Sequence, residues 1–293
     1  MQLSPKSRSR LADLGLFYAA VVWGSTFFVV KDTLSAVDPV VLVAYRFLLA
    51  GLCLLGFLVA SGRSVTRHLG RGALLAVILW FLYVPQTLGL KYTTASNSGF
   101  ITGLFVVFVP VFLRLLFKRR PTVMEVTASG VALVGLWFLT GGLAQLNRGD
   151  ALTLLAAMTY ALHVLYSDRY AKGGVDPYVI CCQQFLLVGL LSLITALVAG
   201  LPLGIATTKA AGTVAFLAFF PTLSAFVVQL LAQRITAPVK VSLIFAFEPV
   251  FAALFAWTLG GEVFRWQSGV GGLCVFAALV IAGLRPPVRT RLP

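Results

Sequence analysis

Few ionisable side chains fall inside the apolar stretches of this 293-residue chain, and that scarcity narrows what each can do. Glu248 stands mid-way along one such stretch, directly before Pro249. A charged group at membrane depth costs about 2.5–3.5 kcal/mol on insertion scales, so each is first read as functional. Proline frees the carbonyl one turn back and bends its helix, which makes room for a polar cavity. There Glu248 either contacts a substrate amine or binds a proton; the competing reading is a structural carboxyl that supports the kink. Arg46, about two turns into another apolar run, suits a substrate carboxylate, but snorkelling outward or satisfying helix-end carbonyls is the expected role. His163 lies one turn from both Tyr160 and Tyr166 on a helix, which puts the three on one face. A proton relay is conceivable there, and a hydrogen-bonded core histidine is the expectation.

Around these groups lie aromatic, hydroxyl and amide side chains that suit an amphipathic zwitterion, with rings for its side chain and hydrogen bonds for its head. Small polar residues also join membrane helices, so any one of them can be packing alone. As a set they argue for a cavity. The expected substrate-binding residues are Trp23, Thr26, Tyr83, Gln86, Asn97, Ser98, Thr102, Tyr160, His163, Gln229, Ser242 and Glu248. Pro85, Pro110, Pro221 and Pro249 are the expected bend points. Gly99-x-x-x-Gly103 and the glycines Gly130, Gly135, Gly269, Gly271 and Gly272 signal close helix packing, within the chain or between copies; monomer and homodimer are both open.

Other chemistries are poorly served. Cys53, Cys181, Cys182 and Cys274 all sit in apolar runs without a CxxC pattern, and only His68 and His163 add imidazole. They read as small core residues, with no metal site and no disulfide framework. No GxxxxGK[ST] motif supplies an ATPase, and no cofactor is expected. A lipid-modifying membrane enzyme would need clustered acids, histidines or metal ligands, whereas the nine acids here are mostly isolated in loops. A channel would show charge rings or a carbonyl filter.

Positioning these residues falls to membrane helices. Hydrophobic residues make up 59% of the chain, charged ones 11%, and the mean hydropathy is +0.97. Soluble proteins carry about 25% charged residues, so this is a polytopic membrane protein with a lipid bilayer around it. The net charge of +14 sits in short loops and reads as topology; no nucleic acid is implied. About 20 mostly apolar residues cross the hydrocarbon core. Ten stretches qualify: 11–30, 39–60, 72–90, 95–117, 123–141, 150–170, 177–199, 211–232, 238–259 and 267–284. The first follows a basic tail, 1–10, without a small-residue cleavage site, so it is a helix rather than a signal peptide. Of the 23 Lys and Arg residues, 17 fall on the side of the N-terminal tail, 5 on the other, and Arg46 lies within a helix. Both termini, including the tail 285–293, are therefore expected in the cytoplasm.

The chain also repeats itself. Residues 37–52 and 175–190 align without a gap at 9 identical positions of 16, from Val37-Asp38-Pro39 and Val175-Asp176-Pro177 to Gly51-Leu52 and Gly189-Leu190. Phe108-Val109-Pro110-Val111-Phe112 is echoed by Phe247-Glu248-Pro249-Val250-Phe251. The alignment pairs Trp23 with Tyr160 and Arg46 with Gln184. Two copies of a five-helix unit, 11–141 and 149–284, must sit upside down relative to each other. The expected fold is an all-α integral membrane protein of ten transmembrane helices, built as two inverted five-helix repeats around a central cavity and working by alternating access.

The chain resembles the EamA-type branch of the drug/metabolite transporter superfamily over essentially its whole length. The resemblance rests on Trp23-Gly24-Ser25-Thr26-Phe27, on Tyr45-Arg46-Phe47-Leu48-Leu49-Ala50, and on Gly89-Leu90-Lys91-Tyr92-Thr93-Thr94-Ala95-Ser96. In the second half it rests on Phe247-Glu248-Pro249-Val250-Phe251-Ala252-Ala253-Leu254, followed by Gly261-Glu262 and Gln267. Lys118-Arg119-Arg120-Pro121 replaces the usual Gly-Glu before the fifth helix. Bacterial amino-acid and metabolite exporters, the aromatic amino acid exporter among them, are the most similar in look. That resemblance implies a bacterial inner (plasma) membrane protein exporting a small-molecule substrate, hydrophobic or aromatic amino acids, with loose specificity. A carrier for a nucleoside, an organic cation or another metabolite or drug is the alternative.

Overall fold

A computed structural model of the chain describes residues 4–140, 147–261, 263–264 and 266–283. Residues 1–3, 141–146, 262, 265 and 284–293 lie outside them, and with them the last residues expected of the fifth and tenth helices, 141 and 284. All regular structure among the described residues is helical: α1 (Pro5–Thr33), α2 (Pro39–Ala60), α3 (Leu69–Gly89), α4 (Ala95–Gly103), α5 (Phe105–Leu115), α6 (Val123–Thr140) and α7 (Arg148–Lys172). They continue with α8 (Pro177–Val198), α9 (Thr208–Leu217), a π-helical stretch (Ala218–Ser224), α10 (Ala225–Gln233), α11 (Pro238–Phe245), α12 (Glu248–Thr258) and α13 (Trp266–Gly283).

Seven helical units among the described residues are long and apolar enough to cross a membrane. They are Lys6–Thr33, Pro39–Ala60, Leu69–Gly89, Ala95–Leu115, Pro177–Val198, Thr208–Gln233 and Pro238–Thr258. Shorter apolar stretches occupy Val123–Phe138 and Gly269–Ala278. α7, at 25 residues, is long enough but carries Asp150 and Asp168 with Arg148, Arg169 and Lys172 near its ends.

The repeated Val-Asp-Pro triplets start α2 and α8 in the same way. Asp38 accepts from the Val40 amide and Asp176 from the Tyr178 amide, both at 2.9 Å. The following proline lacks an amide hydrogen where none is needed. Each aspartate also meets a basic residue from a neighbouring turn, Lys91 at 3.5 Å and Arg63 at 3.0 Å. α7 starts on a capping box, in which Asn147 and Asp150 satisfy each other's backbone amides.

α2 and α8 then pack on each other through reciprocal seats. A Cβ on Gly51 would lie 2.8 Å from Leu186 Cδ2, and one on Gly189 would lie 2.7 Å from Leu48 Cγ. Moving up one helix from Leu48 to Gly51 moves down the other from Gly189 to Leu186, so the two run antiparallel. Gly135 of α6 touches the Gly271 carbonyl and Cys274 of α13 just as closely. Gly99 and Gly103 face Ala252 and Pro249 of α12, so this glycine pair serves packing within the chain. Cys53 is exposed on the outside of α2, and only Cys181 and Cys182 are buried core residues.

The prolines act unequally. Pro85 leaves α3 unbroken. Pro249 sits in the first turn of α12, just after the break at Ala246–Phe247. Pro110 lies inside α5, while the break in that unit falls at Leu104. Pro221 lies in the π-helical stretch, and the Leu217 carbonyl four residues back accepts from the Thr222 hydroxyl at 2.7 Å. A side chain thereby donates to a carbonyl that the Pro221 nitrogen, lacking a hydrogen, cannot serve.

Candidate functional site

A small cavity lies among α1, α3, α7, α10 and the start of α12. Its walls are Trp23, Thr26, Leu82, Tyr83, Gln86, Tyr160, Phe226 and Glu248. Its water-accessible volume is about 10 Å³, enough for one water molecule.

The local folding explains why these side chains converge. Trp23 and Thr26 are one turn apart on α1, and the Thr26 hydroxyl donates back to the Trp23 carbonyl at 2.7 Å. Trp23 is fixed from the other side, because its indole Nε1–H donates to the Pro221 carbonyl at 2.6 Å. That acceptor belongs to the irregular π-helical stretch, where π-turns often mark functional sites. Tyr160 lies edge-on to Trp23 at 6.2 Å and stacks on Phe105 at 4.3 Å. Phe226 and Phe245 meet the indole at 5.1 and 4.9 Å. Glu248 is buried at the N-terminal end of α12. Its Oε2 accepts from the Tyr160 hydroxyl at 3.3 Å. Gln86 Nε2 donates to the Thr102 hydroxyl at 2.9 Å, which ties α3 to α4 at the cavity rim.

Six of the expected substrate-binding residues line this cavity: Trp23, Thr26, Tyr83, Gln86, Tyr160 and Glu248. Thr102 is one hydrogen bond away. The remaining five lie elsewhere. Asn97 Nδ2 donates to Asp150 Oδ1 at 2.7 Å and to the Thr93 hydroxyl at 2.9 Å, joining the start of α4 to the start of α7. Ser98 faces Thr153 at 3.5 Å in the same contact. His163 is fully buried, and its Nε2 is 2.9 Å from Gln184 Oε1. Tyr166 packs on Phe117 at 5.4 Å and not on the histidine. Ser242 donates to its own helix at Val239. Gln229 is fully buried with neither amide atom partnered among the described residues.

Arg46 departs from its expected outward, snorkelling role. Only 2% exposed, it donates from Nε to the Thr222 hydroxyl at 3.0 Å. Its guanidinium lies over the Tyr83 ring at 4.7 Å and the Phe47 ring at 5.3 Å. The aromatic surroundings hold it inward through cation–π attraction. Leu82 and Phe226 are wall residues that a search for polar groups passes over; Phe226 faces Trp23 at 5.1 Å and Tyr83 at 6.1 Å.

Seven long apolar units and an interior cavity with a buried carboxylate define a multi-pass α-helical membrane protein. The EamA-like transporter family matches the chain twice, over residues 10–141 and 147–284, and the chain belongs to that family. It is a membrane transporter. An uncharacterized transporter of Archaeoglobus fulgidus is 32% identical over 274 residues, covering 94% of this chain and 86% of that protein. The uncharacterized inner membrane transporter YedA of Escherichia coli is 25% identical over 276 residues, 91% of this chain and 89% of its own length. Protein PecM of Dickeya dadantii is 26% identical, with 90% of each chain covered. In shape, a solved crystal structure superposes with a TM-score of 0.77 at 20% identity, over 93% of this chain and 96% of the other.

Proposed function

We propose that the chain is a secondary carrier that exports small amphipathic metabolites, amino acids with hydrophobic or aromatic side chains foremost, by alternating access. It crosses a bacterial inner membrane ten times, as two inverted five-helix halves, 11–141 and 149–284, with both termini cytoplasmic. The observation that carries this reading is the cavity. Residues paired by the internal repeat, Trp23 and Tyr160, meet there edge-to-face beside a single buried carboxylate. Rings offer a side chain stacking partners, and Glu248 offers an ammonium a counterion. Each repeat copy contributes one wall, which is how a carrier opens its site to either side in turn.

Two further observations support the inversion. The family matches each half separately. The seats of Leu48 on Gly189 and of Leu186 on Gly51 are reciprocal, as at a two-fold axis, and the repeat-related α2 and α8 run antiparallel. A second reading, a carrier of organic cations, is favoured by the aromatic walls around one carboxylate.

Uptake into proteoliposomes tests both. A panel of amino acids, nucleosides and quaternary amines is measured with and without a pH gradient, followed by counterflow with internal substrate. Trans-stimulated uptake of aromatic amino acids is the expected result. If no amino acid enters above protein-free controls, the amino-acid reading fails.

A further inference from the structure

Arg46 is a second buried charge that the cavity does not yet use. None of the ion pairs among the described residues includes it, and its Nε donates to the Thr222 hydroxyl. That bond uses Nε, while Nη2 is buried without a partner. A guanidinium binds a carboxylate through two parallel N–H groups, and here part of that fork is unsatisfied. A cation within an apolar helix and without a counterion marks a ligand partner by default. Tyr83 links it to the cavity: the ring lies beneath the guanidinium, and the same residue is one of the cavity's walls.

The size of the cavity makes that ring important. A volume of about 10 Å³ admits one water and no amino acid, so loading requires a wall to move. Displacing Tyr83 both enlarges the space and uncovers the guanidinium. The repeat adds a reason for asymmetry. Gln184, the counterpart of Arg46, is engaged with His163, and Val109, the counterpart of Glu248, carries no charge. The first half thus supplies one cation and the second one anion. We infer that Arg46 is the carboxylate-binding residue of the site, screened by Tyr83 in this conformation, so that the carrier recognises zwitterions, ammonium at Glu248 and carboxylate at Arg46. The inference rests on the amino-acid reading above.

The competing role for Arg46 is structural, holding the π-helical stretch through Thr222. Ligand-induced thermal stabilisation of the full chain in detergent separates the two, with phenylalanine, phenylalaninamide and 3-phenylpropionate as probes. The wild type is expected to bind phenylalanine on the order of tenfold or more tighter than either probe lacking one charge. Arg46→Gln should lower phenylalanine to the level of the amide and leave the amide unchanged. Should Arg46→Gln fail to fold, Arg46→Lys is read by the same criterion, phenylalanine losing more than the amide. Equal weakening of phenylalanine and amide, or an unchanged preference for phenylalanine, overturns the assignment of Arg46 alone. If the wild type binds none of the three probes, the amino-acid reading falls and this inference with it.

Discussion

Replacing Gly24 with alanine tests how tightly the cavity wall is seated. Gly24 lies between Trp23 and Ser25 on α1, against the turn that carries Glu248. A Cβ there would meet Phe251 Cβ at 2.6 Å, the Glu248 carbonyl oxygen at 2.7 Å and the Ala252 amide nitrogen at 3.1 Å. Ordinary contact begins at 3.4 Å, so the shortfalls are 3.4 − 2.6 = 0.8 Å and 3.4 − 2.7 = 0.7 Å. Two of the opposing atoms are backbone and the third is a Cβ, so no flexible side-chain end can yield. α1 must move back by about 0.8 Å. If that shift lay along the Trp23–Pro221 hydrogen bond, its 2.6 Å would grow to 2.6 + 0.8 = 3.4 Å, outside the usual range of about 2.7–3.2 Å. Overpacking costs about 1–3 kcal/mol, the lost hydrogen bond adds about 1 kcal/mol, and alanine's helix propensity returns about 1 kcal/mol. The net expectation is a destabilisation of about 1–3 kcal/mol, with transport impaired because Trp23 and Thr26 leave their places. Gly56→Ala is the internal control, since nothing lies within 4 Å of its added Cβ. It should stabilise by up to about 1 kcal/mol and leave transport unchanged. Thermal unfolding in detergent and proteoliposome uptake read both effects. Equal shifts for the two alanines, or a Gly24→Ala carrier of full stability and rate, would refute the packing argument.

Three further outcomes are expected. Asp150→Ala removes a buried carboxylate that both closes the α7 capping box and accepts from Asn97, so it should lower stability by about 1–3 kcal/mol, read as earlier thermal unfolding. Trp23→Phe keeps a ring in the wall but leaves the Pro221 carbonyl without the indole donor; a loss of about 1 kcal/mol and a weaker substrate affinity are expected from unfolding and uptake measured together. Pro110→Ala and Pro249→Ala should change transport more than folding, and unchanged uptake in both would count against a role in bending.

The helical architecture was legible because it depends on composition and short motifs. An apolar run bounded by Asp-Pro starts a helix wherever it occurs, and the starts of α2 and α8 follow directly. The internal breaks were harder to see. Nothing local marks Leu104 as the place where α4 gives way to α5, six residues before Pro110. Trp23, Tyr83 and Tyr160, which line the cavity, stand out in the sequence as rings on apolar helices. Asn97 and Ser98 were not separable from them, because an amide or hydroxyl at a helix start serves a neighbouring helix equally well. The inward course of Arg46 is hidden in the sequence for a related reason. Its distance from the helix end suggested an outward route, but Thr222, Tyr83 and Phe47 hold it inward, and Thr222 and Tyr83 come from other helical segments.

The paired seats of Leu48 on Gly189 and Leu186 on Gly51 have a mechanical consequence for a carrier of inverted halves. When such a carrier turns from one side of the membrane to the other, its halves trade shapes, and every contact is exchanged for its counterpart. A contact on the symmetry axis is its own counterpart. On the carrier proposed above, the junction of α2 and α8 is therefore a place expected to look the same before and after, a fixed fulcrum between moving arms. Distances between labels placed there should stay constant through the transport cycle and calibrate the movements of every other pair.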